Sequence, residues 1–353
     1  MRSVLLLFLA IFCTAGASAQ SGRLKPSPTP PPRSITGPSV LTASKPGPVR
    51  QLPTATPTPK PDTDEVIRVD ASLVPIPVTV TDSDGRPVST VKLENFVLKI
   101  DGKPAEISEM SRAETPISLA MLFDNSSSVL IARDFEVQAA VRFFKRVIRP
   151  SRDRAALFSV ADYTRLEQPL TSDVSVLTRS IEQFPPPKGA TALLDGIIEA
   201  AEYIRSANGR RVIVIVSDGE DTYSDLKTSL EDVVRRLLVT DCLVYVVNTK
   251  EFENFKRTGV RGGNANTRTL AAERRMIEIT QQTGGAVYSP IDDDEMAAAF
   301  TKIASELSQQ YVLSYYPEND RDKRGAFRSI EVAVKDKPHY SVRARKGYYV
   351  PKR

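Results

Sequence analysis

From Ile117 onward, apolar runs alternate with stretches of helical periodicity. Ile117 to Phe123 is apolar at every position but Ser118, as expected of a strand buried on both faces. Ala155–Val160, Val212–Val216, Leu243–Val247 and Val287–Tyr288 repeat that character. Between them, 132–148, 173–184, 191–206, 228–238, 268–283 and 294–309 place apolar residues at helical spacing. Alternating strands and helices of this length predict an α/β fold with a doubly wound, mostly parallel sheet.

The flanks follow a different grammar. Ile67, Val69 and Val74 to Val80 alternate with polar residues or prolines, and Phe96 to Ile100 reads as a further strand. After the α/β part come Tyr311–Tyr315, Ile330–Val334 and Val342–Ala344. Strands on both sides imply one small β-sandwich, built from N- and C-terminal segments, into which the α/β unit is inserted. Asp82-Ser83-Asp84-Gly85 reads as a hairpin turn, because the remaining ligands of a calcium loop are missing.

Residues 1–19 have the three parts of a secretory signal: Arg2, the apolar run Val4 to Phe12, and Ala17-Ser18-Ala19 before a cut at Gln20. Nine apolar residues are too few to span a bilayer, so no transmembrane segment is expected after cleavage. Phe12 before Cys13 does not suit a lipoprotein signal. Residues 21–61 hold 12 of the 26 prolines and read as an extended spacer. The expected organisation is signal 1–19, proline-rich disordered linker 20–64, N-terminal sandwich part 65–115, α/β domain 116–308 and C-terminal sandwich part 309–353. The location is then secreted, or the periplasm and cell envelope.

Charge partition changes the meaning of a formal +5. Residues 1–61 have seven Lys/Arg and no acid, and 319–353 have 11 basic against four acidic residues. The central 62–318 carries 30 basic and 39 acidic residues, a net of −9. That balance does not suit a nucleic-acid partner. With one histidine and two cysteines, neither a Cys/His zinc site nor a disulfide framework is available. Loss of Cys13 with the signal leaves Cys242, in an apolar run, as a buried and inert thiol.

Ligands of open α/β sheets bind beyond the carboxyl ends of the strands. There the chain places Asp124-Asn125-Ser126-Ser127-Ser128, Gly189-Ala190-Thr191 and Ser217-Asp218-Gly219. Asp124, Ser126, Ser128, Thr191 and Asp218 are two carboxylates and three hydroxyls, an all-oxygen set suited to a hard cation. Mg²⁺ is the natural ion, and Mn²⁺ suits the same donors. Helix capping explains one such loop but not three. Water would fill the remaining positions, where an external carboxylate can replace it.

This pattern, Asp-x-Ser-x-Ser, then Gly-x-Thr, then Ser-Asp-Gly, resembles the metal-ion-dependent adhesion site of von Willebrand factor A (VWA) domains, over about 117–308. Thr283 to Tyr288 resembles the entry to that fold's last strand. The flanks are similar to a bacterial group of VWA-related domains described from Acidobacteria, through Asp82 to Val88, Gln310 to Pro317 and Arg345 to Tyr349. The resemblance implies a VWA, Rossmann-like domain, Mg²⁺ on the five residues, and a protein partner that offers an Asp or Glu carboxylate.

Enzymatic roles are not filled. A serine nucleophile needs an oriented base, and the single histidine, His339, lies in the terminal β region. The expectation is a non-enzymatic binding protein acting in Mg²⁺-dependent interaction or adhesion. A structural envelope protein whose metal only stabilises the fold is the alternative, and a Mg²⁺-dependent hydrolase is a second.

Overall fold

The computed structural model describes residues 73–112, 115–262, 266–317 and 323–351. The expected signal, the spacer, and Ile67 and Val69 lie outside these residues.

The chain enters through β1 (Val74–Thr81), β2 (Phe96–Ile100), β3 (Lys103–Ala105) and β4 (Glu109–Arg112). The turn after β1 is the one expected from Asp82-Ser83-Asp84-Gly85. Asp82 Oδ1 accepts the N–H groups of Asp84 and Arg86 at 2.9 and 2.8 Å, so this carboxylate is engaged by its own turn.

The α/β part follows as β5 (Ile117–Asp124), α1 (Arg133–Val147), β6 (Arg154–Val160), β7 (Thr164–Thr171), α2 (Val174–Glu182) and α3 (Leu193–Tyr203). It continues through β8 (Arg210–Ser217), α4 (Leu230–Val239), β9 (Cys242–Asn248), α5 (Lys250–Thr258), α6 (Thr267–Thr283), β10 (Ala286–Tyr288) and α7 (Asp293–Gln309). β11 (Tyr311–Tyr315), β12 (Phe327–Val334), β13 (Ser341–Ala344) and β14 (Gly347–Tyr349) end the described chain.

The central sheet has the order β10-β9-β8-β5-β6-β7. All pairs are parallel except β6 with β7, an antiparallel edge that the sequence reading did not include. All eight residues of β5 are buried, Ser118 and Asp124 included, as its largely apolar sequence predicts. Its successive side chains enter opposite layers. Leu119, Met121 and Phe123 pack with α1, α2 and α7, while Ala120 and Leu122 pack with α3, α4 and α6. The sheet is therefore doubly wound.

Two further sheets, β13-β1-β11-β4 and β14-β12-β2-β3, share a core of Ile76, Val78, Leu98, Ile100, Leu313 and Ile330. Each joins strands that precede and follow the α/β part; β1 pairs with β11, and β2 with β12. The α/β sheet is inserted in this sandwich, and Gln310 alone separates α7 from β11.

Helix α5 (Lys250–Thr258) lies outside every helical stretch predicted from the sequence. Its sequence has few apolar residues, so its helical form comes from packing. Phe252 is fully buried against Phe135 of α1, with ring centroids 5.3 Å apart.

Candidate functional site

The order of the central sheet reverses between β5 and β8. β5 leads through α1 to β6 on one side, and β8 leads through α4 to β9 on the other. Such a reversal leaves a crevice above the strand ends, where α/β sheets bind ligands. Asp124 is the last residue of β5, and Asp218 follows the last residue of β8.

Both carboxylates are buried, with 1% and 0% of their surface exposed. Each is gripped by the backbone two residues on. Asp124 Oδ1 accepts from Ser126 N at 2.9 Å, and Asp218 Oδ1 accepts from Glu220 N at 3.0 Å. The Ser217 hydroxyl donates to Asp124 Oδ2 at 2.6 Å, joining the ends of the two strands directly. Ser126 is buried and Ser128 exposed, and their hydroxyl oxygens lie 2.9 Å apart.

Thr191 is buried just before α3. Its carbonyl accepts from Thr222 N and Tyr223 N, and its own N–H donates to Thr222 Oγ1 at 3.0 Å. Ser127 N donates to the Gly189 carbonyl, and Lys188 N to that of Asn125. The three loops that carry Asp124, Thr191 and Asp218 are thus one hydrogen-bonded group.

The electrostatics follow from burial. Removal from water pushes Asp124 up to about 6, and the nearby Asp218 charge adds to the shift. Glu253 of α5 is pushed up to about 8, first by burial and then by Asp218. Glu136 of α1 is fully buried and held well above the usual carboxylate range by desolvation. Cations line the same region. Arg133 donates to the Asp124 carbonyl and to Asn125 Oδ1, and its guanidinium lies over Phe123 and Phe184 at 4.9 and 5.1 Å. Lys250 Nζ donates to Asp218 Oδ2 at 3.3 Å and to Glu220 Oε1 at 2.9 Å. Burial works against the Lys250 charge, but the Glu220 hydrogen bond and the two carboxylates raise its pKa.

Arg133, Glu136, Lys250 and Glu253 did not enter the sequence reading of the site. None of the four has a spacing motif that sets it apart from ordinary helix charges. α5 itself had a readable signal: Phe252 and Phe255 three apart, glutamates early, Lys256 and Arg257 late, and Gly259 as a left-handed stop.

Among the described residues, no group of three or more His, Cys, Asp or Glu side chains is placed to hold a metal ion. A cation here would depend on hydroxyl ligands. The donor set fits a hard ion, since the Asp218 charge adds to the cost of ionising the buried Asp124, and hydroxyl oxygens with lone pairs to spare lie beside it. His339 stands in the β12–β13 turn of the sandwich, beside Tyr340.

The loops also expose apolar side chains. Leu130 and Ile131 follow Ser128, Tyr163 lies in the β6–β7 turn, and Tyr223 follows Thr222; all four are exposed. Asp162, next to Tyr163, accepts from Ala190 N at 2.6 Å, which ties that turn to the Thr191 loop.

Among curated proteins, no sequence matches the chain. Solved structures similar to it include a von Willebrand factor type A protein from Catenulispora acidiphila, 9% identical, with 80% of this chain and 74% of that one covered and a TM-score of 0.44. The conserved hypothetical protein BatB from Bacteroides thetaiotaomicron is 15% identical, covering 54% and 98%, with a TM-score of 0.39. The PilB minor pilin from Streptococcus sanguinis is 12% identical at a TM-score of 0.43, covering 59% of this chain. The chain spans 64% of the pilin, less than two thirds of its length. Residues 119–220, from β5 to the loop after β8, match the von Willebrand factor type A domain family, so this doubly wound sheet is of the VWA, Rossmann-like kind.

Proposed function

We propose that this chain is a secreted or periplasmic VWA binding protein that captures a partner protein through Mg²⁺ held by Asp124, Ser126, Ser128, Thr191 and Asp218. VWA domains mediate protein interactions, and the metal reading gives that role a chemistry. The observation that carries it is the pair Asp124 and Asp218, buried at the ends of adjacent parallel strands and electrostatically opposed. Two such carboxylates beside hydroxyl oxygens favour a divalent cation. When bound, the ion supplies a partly desolvated positive centre with a position open to an Asp or Glu carboxylate of the partner.

The surrounding surface supports the same role. Leu130, Ile131, Tyr163 and Tyr223 supply exposed apolar and aromatic contact area beside the polar centre, residue types that protein interfaces use. The function is binding, not catalysis. Cleavage after residue 19 would free the exported chain from its signal, and 20–64 would hold the folded part away from whatever the N-terminus meets. The sandwich segments 65–115 and 309–353, which resemble the bacterial VWA-related group, would present the domain 116–308.

A pull-down from the source organism's envelope, in Mg²⁺ and in EDTA, tests the reading. Wild type should retain a partner in Mg²⁺ only, and Asp124→Ala should retain none while its circular dichroism is unchanged. Equal capture by Asp124→Ala, or in EDTA, refutes it.

A further inference from the structure

Lys250 is the first residue of α5, two positions beyond the end of β9. β9 is the neighbour of β8, with Asn248 in register with Ser217, so the sheet delivers Lys250 beside Asp218. The start of α5 is fixed by Asn248 Oδ1, which accepts Lys250 N at 3.0 Å, and by the buried Phe252. The ammonium is therefore presented from a firm base.

Its partners divide unequally. Nζ lies 2.9 Å from Glu220 Oε1 and 3.3 Å from Asp218 Oδ2. Side chains of Lys250 and Glu220 are 22% and 23% exposed, and that of Asp218 is 0% exposed. Charges so poorly hydrated act on one another with little screening. Arg133 does not compete for this carboxylate, since it bonds to a backbone carbonyl and an amide. Lys256, one face further along α5, pairs with Asp293.

We propose that Lys250 is a tethered counter-cation which a divalent metal must displace from Asp218, so that this lysine sets the metal affinity of the site. The inference rests on the metal reading above. A monovalent ammonium offsets part of the negative charge of Asp124, Asp218 and Glu220, and it repels an arriving divalent ion. The displaced ammonium keeps a partner, because its shorter bond is to Glu220. Metal-free protein thereby avoids leaving the buried Asp218 carboxylate without a counter-charge, and the site loads only when the metal, or metal with a partner carboxylate, displaces the lysine.

Titration calorimetry of the full chain with MgCl₂, and again with MnCl₂, tests this. Lys250→Met and Lys250→Gln should each bind the metal at least about tenfold more tightly than wild type, through loss of one opposing charge at close range. Lys256→Met should match wild type. A merely structural ion pair predicts the opposite: disorder of α5 and equal or weaker binding. If wild type binds Mg²⁺ in an Asp124-dependent way and the Lys250 variants bind no more tightly, the inference is overturned while the metal site stands. If neither wild type nor the Lys250 variants bind Mg²⁺, the metal reading itself fails. Binding by the Lys250 variants alone, lost again on Asp218→Ala, supports the inference most strongly.

Discussion

Arg210 donates from Nη1 to Gln310 Oε1 at 3.0 Å, in a place where both side chains are buried. The same Nη1 reaches the Leu307 carbonyl at 2.9 Å, near the end of α7. Gln310 Nε2 then donates to Thr79 Oγ1 of β1, also at 3.0 Å. One amide thus links the first residue of β8, the last turn of α7 and the sandwich. Burial pulls the Arg210 pKa down to about 10, a sign of how poorly its charge is compensated.

Gln310→Ala should therefore destabilise the chain by about 1–3 kcal/mol, the cost of leaving buried polar groups without a partner. The guanidinium would keep the Leu307 carbonyl but lose an acceptor, and Thr79 would lose a donor. Urea unfolding followed by circular dichroism reads this as a lower midpoint. An unchanged midpoint would show that water replaces the amide without loss.

Glu253 makes stability depend on pH. Its folded value is about 8, against 4.5 for an ordinary glutamate. Below about 4.5 both states hold the proton. Between 4.5 and 8 the folded chain holds more protons than the unfolded one, so stability falls as pH rises through this window. Glu253→Gln should flatten that fall. Unfolding midpoints in EDTA at several pH values across the window check it, and a slope equal to that of wild type would be the contrary result.

Gly285 admits no side chain. A Cβ there would stand 1.7 Å from the Val244 carbonyl oxygen of β9. Gly285→Ala should cost several kcal/mol, in the range reserved for strain and overpacking. Gly85 is a control: its φ is +72°, but a Cβ would meet nothing within 4 Å. Gly85→Ala should cost about 1 kcal/mol from backbone conformation alone. Thermal melts of the two variants should separate clearly.

Cys242 should be silent to thiol reagents in the folded chain. It is buried, hydrogen-bonded with Thr240, and its pKa is pushed up to about 12 by desolvation. Labelling at pH 8 should proceed in urea and not in buffer, where thiolate and access are both lacking. Rapid labelling of folded protein would mean that the start of β9 opens.

Much of the architecture was legible because burial imposes it on the sequence. A strand covered on both faces must be mostly apolar, and Ile117 to Phe123, apolar at all but Ser118, states this without any partner in view. β7 was not legible: Thr164–Thr171 is a half-exposed edge with a proline, so its side chains carry no such constraint. α5 carried charge and glycine signals at its ends, but nine residues with two phenylalanines make a weak helical pattern, and Phe252 packing against Phe135, a contact distant in sequence, completes it.

At the candidate site the division is sharper. By itself the sequence determined that oxygen-bearing side chains stand at strand ends, because there each apolar run gives way to loop residues. Only the tertiary structure decided which of those ends are neighbours. β8 pairs beside β5, so Ser217 reaches Asp124 across 93 residues, and β9 beside β8 brings Lys250 onto Asp218. Hydrogen bonds between strands set that order, and no local pattern of side chains encodes it.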